Sequence, residues 1–146
     1  MSEINHIAFL VRSAEVSAEV LRRNGIHAGP PQDFEGEGTR EIYAGGEELS
    51  SRILLMQAIG EGPYKSALVK RGPGLHHIAV DVPSLDEFLS GIASSGWLLH
   101  PASVKTMSAS RTAYLARSGM PMLIEVQERV GITRSKQLVR SLTLPL

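Results

Sequence analysis

A long internal repeat limits the folds open to this chain more than any other feature. Residues 5–11 read NHIAFLV and residues 76–82 read HHIAVDV, so His6 and His77 stand 71 positions apart. Without gaps, the same offset aligns further identical pairs: Ser13 with Ser84, Gly25 with Gly96, Pro30 with Pro101, Arg40 with Arg111, Tyr43 with Tyr114, and Ile53 with Ile124. A repeat of this length suggests paired modules rather than a solenoid. We therefore predict one pseudo-symmetric domain over 1–146, with copies at about 4–58 and 75–129.

Composition excludes several classes of function. The chain has 146 residues, of which 42% are hydrophobic, which fits one compact domain with a real core. Fifteen basic and fifteen acidic residues cancel, so we expect neither a nucleic-acid nor a membrane partner. The absence of cysteine excludes disulfides, thiolate nucleophiles and zinc–cysteine sites. Because we find no signal peptide and no apolar run of membrane-spanning length, we expect a cytoplasmic protein.

The first copy reads as a strand, a helix and further strands. Residues 4–12 alternate and are rich in β-formers, which predicts a strand with His6 on one face. The opposite, apolar face is expected to pack on a helix that Ser13 caps and that Asn24 and Gly25 end. The predicted buried stripe of this helix is Val16, Val20 and Leu21. The remaining predictions are a loop at 28–39 and strands at 40–44 and 51–58.

The second copy repeats this plan after a linker at 59–74, in which a short helix from Tyr64 to Arg71 is expected. Ser84 is predicted to cap the second helix. Its predicted buried face is Leu85, Phe88, Leu89 and Ile92. The other predicted elements are strands at 75–82, 97–99, 111–117 and 121–128, and a loop from Val104 to Ser110.

Each copy is therefore a βαβββ module with a helix on one side of its sheet. The other side needs cover, and two such sheets can cup around a cavity. We predict the α+β class, with two tandem modules forming a cupped, mixed β-sheet. Residues 130–146 lie outside the repeat and are expected to be a packed or frayed terminus.

Strand parity brings three candidate metal ligands to the predicted cavity. His6 and His77 occupy equivalent positions on the opening strands, on the face away from the helix. Glu125 points the same way, since its neighbours Ile124 and Val126 face the helix. Two imidazoles and one carboxylate make a divalent-metal site with open positions for water or substrate. The alternative to a metal site is that the two histidines are ordinary strand residues and that Glu125 is a charged residue on an edge strand.

The position equivalent to Glu125 in the first copy is Leu54, which cannot bind a metal. One interpretation is a three-ligand metal site. The other is a site that has lost its metal and binds an organic molecule in an apolar cup, which Met56 on the same face would fit. Tyr43 and Tyr114 are expected to pack or to line this substrate pocket.

The repeat and its motifs resemble the vicinal oxygen chelate superfamily over essentially 4–129. This superfamily includes glyoxalase I, methylmalonyl-CoA epimerase, extradiol dioxygenases, fosfomycin-resistance enzymes and metal-free drug-binding proteins. The segment GLHHIAVDV at 74–82 and the segment IGE at 59–61 are most similar to the epimerase branch. The resemblance implies a glyoxalase-like fold, a homodimer, and a metal held by His6, His77 and Glu125. It also implies that a usual fourth ligand is lost at Leu54 and that Glu41 matches a catalytic glutamate of the epimerases.

The functional hypothesis is a metal-dependent isomerase or lyase of the epimerase or glyoxalase type. The divalent metal (cobalt, manganese, zinc, nickel or iron) would chelate a small carbonyl or thioester substrate and stabilise its enolate. Glu41 or Glu125 would take the α-proton. Two alternatives stay open, a metal-free small-molecule binding protein and a non-haem iron dioxygenase using the same three ligands.

Overall fold

The computed structural model describes residues 2–46 and 52–129, and the predicted tail at 130–146 lies outside them. Its elements in chain order are β1 (Glu3–Val11), α1 (Ala14–Arg23), β2 (Gln32–Phe34), β3 (Thr39–Gly45), β4 (Arg52–Ala58), α2 (Pro63–Arg71), β5 (Gly74–Val82), α3 (Leu85–Ile92), β6 (Leu98–Leu99), α4 (Ser103–Ser110), β7 (Thr112–Ala116) and β8 (Leu123–Glu128). The strands form an eight-stranded sheet in the order β2-β3-β4-β1-β5-β8-β7-β6. The sheet is mixed, because β1 pairs with β4 in parallel whereas β3 pairs with β4, and β7 with β8, antiparallel. The predicted α+β class is confirmed.

The described residues form two compact units, one of 6–46 with 52–77 and one of 2–5 with 78–129. We call them the first and the second unit. In the first unit, α1 packs on β3 and β4 over a core of Ala14, Ala18, Ala28, Ile42, Ala44 and Leu55. In the second unit, α3 covers a core of Val82, Leu85, Ala113, Leu115 and Val126. Each core therefore joins one helix to the sheet strands of its own unit.

The predicted helix caps are confirmed, but the predicted buried face of α1 is wrong. Ser13 and Ser84 each accept a backbone N–H at 3.2 Å from the residue three positions on. Val16 and Val20, however, are 65% and 53% exposed. The helix buries Ala14 and Ala18 instead, with Leu21 partly buried, because positions spaced by four and three residues share one helical face. These small side chains leave the two valines on the opposite side.

Two segments predicted as loops contain regular structure. Residues 103–110 form α4, because Ser103 Oγ accepts from the backbone N–H of Tyr114 at 2.8 Å and donates to its carbonyl at 3.0 Å. Within the predicted loop at 28–39 lies β2, where Asp33 faces Arg40 across the hairpin at 2.7 Å. Specific side-chain contacts between neighbouring elements accompany both segments, and composition alone does not reveal such contacts.

The repeat extends to side-chain contacts that tie each helix to a strand. In the first unit, Gln57 Oε1 accepts the N–H of Ala14, the first residue of α1, at 3.0 Å. In the second unit, Glu128 Oε2 accepts the N–H of Leu85, the first residue of α3, at 2.9 Å. Gln57 and Glu128 are equivalent positions, as are Ala14 and Leu85. Because the first N–H groups of a helix lack partners within it, each bond stabilises the start of its helix.

An ion pair adds to this bond in the second unit and makes it sensitive to pH. Hydrogen bonds from the Arg111 guanidinium, and then from the N–H of Leu85, hold the pKa of Glu128 below its ordinary value of 4.5. A carboxyl whose pKa is lower in the folded state stabilises the fold above its unfolded pKa. That stabilisation is lost as the pH falls through the lower, folded-state value.

We expect Glu128→Gln to lower the free energy of unfolding at pH 6 and to have a shrinking effect as the pH falls below 4.5. Glutamine keeps an oxygen for the helix bond, as Gln57 does, but it loses the ion pair with Arg111. Urea unfolding followed by circular dichroism between pH 6 and pH 3 measures the difference in unfolding free energy between the variant and the unchanged protein. Glu37→Gln, an exposed residue, is the control. A difference in unfolding free energy that stays constant with pH would contradict the stabilising role of the Glu128–Arg111 ion pair.

Candidate metal centre

His6 and His77 are buried and face each other through the same ring nitrogen. They are 5% and 4% exposed, and their Nε2 atoms lie 3.2 Å apart. Two nitrogen ligands bound to one divalent ion at about 2.1 Å lie roughly 3.0 to 3.4 Å apart in octahedral or tetrahedral geometry. The spacing of the two imidazoles therefore matches that of two ligands on one ion.

Glu125 is the third residue of a group that could hold a metal ion. One ring nitrogen from each of His6 and His77 and one carboxylate oxygen of Glu125 all lie within 4.8 Å of one another. On β8, Glu125 stands opposite Tyr114 of β7, so the two side chains share one face of the second unit's strands. The Nε2 of Gln127 donates to Oε1 of Glu125 at 2.7 Å. The donor set of two imidazoles and a carboxylate fits a divalent transition metal.

His76 holds the other nitrogen of the His77 ring, a role that strand parity did not reveal. The Nδ1 atoms of His76 and His77 lie 2.8 Å apart, and the His76 ring packs on the Tyr64 ring at 5.1 Å between centroids. A metal-binding Nε2 requires the proton of His77 to sit on Nδ1, and His76 Nδ1 can accept it. Such a partner orients the ligand ring.

We expect His76→Phe to weaken metal binding without abolishing it. Phenylalanine keeps the packing against Tyr64 but removes the nitrogen that accepts from His77, so the dissociation constant for Co²⁺ should rise about 10- to 100-fold. Titration followed by the visible absorption of bound cobalt measures this change. Tyr64→Phe, which preserves the ring contact, should leave cobalt affinity near that of the unchanged protein. Equal cobalt affinities in the unchanged protein, His76→Phe and Tyr64→Phe would refute the role of His76.

Leu54 and Met56 lie in an apolar cluster of the first unit. Across the parallel strands, Leu54 stands opposite Ala8 and Met56 opposite Leu10, and all four are buried. Tyr43 and three residues of α2 pack against this cluster, namely Tyr64, Ala67 and Leu68. The predicted helix in the linker thus covers part of the face on which a pocket was expected. Whether Leu54 and Met56 also contact a substrate stays a prediction.

Glu41 is buried on the same face of the first unit. It stands opposite Met56 across β3 and β4, and its Oε2 accepts a hydrogen bond from the Thr39 hydroxyl group at 2.8 Å. This bond holds the carboxylate in one orientation. The catalytic role implied by the epimerase resemblance stays a prediction.

The two tyrosines predicted for the pocket occupy equivalent positions in their units. The ring of Tyr43 meets that of His6 edge to face, with 5.7 Å between centroids, and the guanidinium of Arg52 lies 5.2 Å from the Tyr43 centroid. Tyr114 shares its face with Glu125. Their contact with substrate stays a prediction. Sequence reasoning missed His76, Arg52 and Gln127, of which only Gln127 carried a signal, its matching strand parity with Glu125.

None of the helices in the described residues combines the length and apolar character needed to cross a bilayer.

Comparison with known proteins identifies relatives by structure only. No protein-family model and no curated protein sequence matches the chain. A hypothetical protein from Bacillus halodurans has a TM-score of 0.70 and 24% identity, with 88% of this chain and 94% of that chain covered. The methylmalonyl-CoA epimerase of Mycobacterium tuberculosis has a TM-score of 0.66 and 22% identity, with 91% of each chain covered.

A variant of the Streptomyces coelicolor methylmalonyl-CoA epimerase, in complex with 2-nitronate-propionyl-CoA, has a TM-score of 0.65 and 19% identity, with 88% of this chain and 96% of that chain covered. At these identities the likeness concerns the fold. It agrees with the mixed eight-stranded sheet. The chain shares the fold of these structures, in agreement with the glyoxalase-like fold that the sequence resemblance implies.

Proposed function

We propose that this protein is a metal-dependent isomerase of the epimerase type, which removes and returns a proton on the carbon next to a carbonyl or thioester. The observation that carries the proposal is the pair of buried Nε2 atoms of His6 and His77, 3.2 Å apart and grouped with a carboxylate oxygen of Glu125. Buried imidazoles whose nitrogens converge at ligand spacing are typical of a metal centre. The structural likeness to methylmalonyl-CoA epimerases supports the choice of reaction.

In this proposal, His6, His77 and Glu125 hold the divalent cation. When bound, it supplies Lewis-acid polarisation of the substrate carbonyl and thereby lowers the pKa of the α-carbon acid. Both histidines are buried, so their ring nitrogens face the protein interior rather than bulk water. The hydrogen bond from Gln127 fixes one oxygen of Glu125.

The proton transfer falls to carboxylates of this chain. We assign removal of the α-proton to Glu41 or Glu125, with the other returning a proton on the opposite face. Glu41 suits this work because it is buried and because the Thr39 hydroxyl orients it. A positioned carboxylate contributes about 10²- to 10⁴-fold to such a step.

The proposed substrate class is a small acyl thioester with an acidic α-C–H bond. The structural neighbours include epimerases described with methylmalonyl-CoA and with a propionyl-CoA nitronate. Methylmalonyl-CoA is therefore a suitable probe. In D₂O, the protein loaded with Co²⁺ or Mn²⁺ should exchange the α-proton of the probe, which ¹H NMR follows directly. Absence of exchange together with stoichiometric metal would exclude this substrate, whereas absence of metal under any loading would refute the metal-dependent mechanism.

Leu54 supports a second candidate, a metal-free protein that binds a small apolar molecule. It stands where the second copy has Glu125, and it is buried in the apolar cluster with Ala8, Leu10 and Met56. This reading predicts that the protein takes up no metal from solutions of cobalt, manganese, zinc, nickel or iron. A dioxygenase with the same ligands predicts iron binding and oxygen consumption instead. Elemental analysis after loading separates these readings.

A further inference from the structure

A chain of hydrogen bonds within the second unit leads from a buried carboxylate to Glu125. Asp81 is 0% exposed, and Nε of Arg129 lies 3.3 Å from its Oδ1 while Nδ2 of Asn5 donates to its Oδ2 at 2.9 Å. Nη2 of Arg129 donates to Oε1 of Gln127 at 2.7 Å. Nε2 of Gln127 then donates to Oε1 of Glu125 at 2.7 Å. The candidate metal ligand thus stands at the end of a continuous polar chain.

The guanidinium of Arg129 determines which way the Gln127 amide points. Arginine has donors and no acceptor, so only the amide oxygen of Gln127 can face it. The NH₂ group of Gln127 must then face Glu125 and present a donor to its carboxylate. Asp81 in turn holds Arg129, since a buried carboxylate needs charged or polar partners. The direction of donation along the chain follows from these two constraints.

The equivalent positions of the first copy carry no such chain. Asp81 corresponds to Leu10, Glu125 to Leu54, Gln127 to Met56 and Arg129 to Ala58. Leu10, Leu54 and Met56 belong to the buried apolar cluster beside α2. In the first copy, apolar side chains therefore fill these three positions and are buried. In the other copy, polar side chains occupy the same positions and converge on the one acidic member of the metal group.

We propose that Gln127 is a positioning residue for Glu125, and that Arg129 and Asp81 act on Glu125 through it. The amide holds Oε1 of Glu125 in place, so that the carboxylate is presented to the cation in one orientation. This inference rests on the proposed metal centre. Partners that orient a ligand are typically worth 10- to 100-fold in metal affinity.

Titration of the full-length protein with Co²⁺, followed by visible absorption, tests the role of Gln127. The variant Gln127→Met introduces the residue found at the equivalent position of the first copy, and its dissociation constant for cobalt should rise about 10- to 100-fold with an altered absorption band. Gln57→Met is the matched control, because it removes the helix bond to Ala14 without touching the metal group. It should lower the melting temperature and leave cobalt affinity unchanged.

A double-mutant cycle tests whether Arg129 acts through Gln127. Arg129→Met should weaken cobalt binding in the otherwise unchanged protein and have no further effect in the Gln127→Met background. A purely structural arginine would lower the melting temperature equally in both backgrounds and leave cobalt affinity alone. Arg129 is 55% exposed, so its replacement opens no cavity in the core, and Asn5 still donates to Asp81. Circular dichroism and the melting temperature establish that the Arg129→Met variant is folded.

The outcomes separate this inference from the proposed function. If the unchanged protein binds no cobalt, the metal centre itself is refuted, and the positioning role with it. If the unchanged protein and Gln127→Met bind cobalt with equal affinity while Glu125→Ala does not, the metal centre stands and the positioning role is overturned. Additive effects of Arg129→Met in the two backgrounds would overturn the part assigned to Arg129.

Discussion

Replacing His77 by alanine is expected to remove bound metal and to lower α-proton exchange by about a thousandfold or more. The variant loses one of the two nitrogens that lie 3.2 Å apart, and the remaining imidazole and carboxylate bind a divalent ion far more weakly. Lewis-acid stabilisation of developing charge supplies several kcal/mol, and about 1.4 kcal/mol corresponds to each factor of ten in rate. Elemental analysis gives the metal content, and ¹H NMR in D₂O with methylmalonyl-CoA gives the exchange rate.

His27→Ala is the matched control, because His27 is exposed and lies outside the metal group. It should retain both metal and exchange. Circular dichroism and the melting temperature establish that the His77→Ala variant is folded. Equal metal content in the two variants would refute the assignment of His77 as a ligand.

The second large effect is expected from Glu41→Gln, which should leave metal content unchanged and slow α-proton exchange by about 10²- to 10⁴-fold. Glutamine has nearly the shape of glutamate and can still accept a hydrogen bond from the Thr39 hydroxyl group, so the local structure is preserved. It cannot take a proton from carbon. The combination of full metal loading and slow exchange identifies an acid/base residue rather than a ligand.

Glu35→Gln, an exposed residue in the turn after β2, serves as the control and should exchange at the rate of the unchanged protein. If Glu41→Gln exchanged at that same rate, the proton transfer would belong to Glu125 or to another group. Loss of metal in Glu41→Gln would instead indicate that Glu41 supports the metal centre.

The repeat explains why the sequence alone predicted so much of the candidate site. Strand parity gives the face on which a side chain lies, and the 71-residue offset makes His6 and His77 equivalent. Together these rules predict that both histidines and Glu125 belong to one group, and these three residues could hold a metal ion. The same reasoning anticipated the caps at Ser13 and Ser84, since capping depends on neighbours in sequence.

The features that sequence reasoning missed depend on specific side-chain contacts between neighbouring elements or on the direction of a ring. Helix α4 is held by the bonds of Ser103 to Tyr114, and β2 by the pair Asp33–Arg40, neither of which local composition reports. His76 has the opposite parity to His77, yet its Nδ1 reaches the neighbouring ring. Parity assigns a face to a side chain, but it does not describe how far a ring reaches along the strand.

The most direct test of the account is an anomalous difference map from a crystal of the cobalt-loaded protein, measured at the cobalt absorption edge. We expect one strong peak about 2.0 to 2.2 Å from Nε2 of His6, Nε2 of His77 and a carboxylate oxygen of Glu125. A cobalt peak beside other side chains would contradict this metal centre. So would the absence of any cobalt peak from crystals soaked in excess metal.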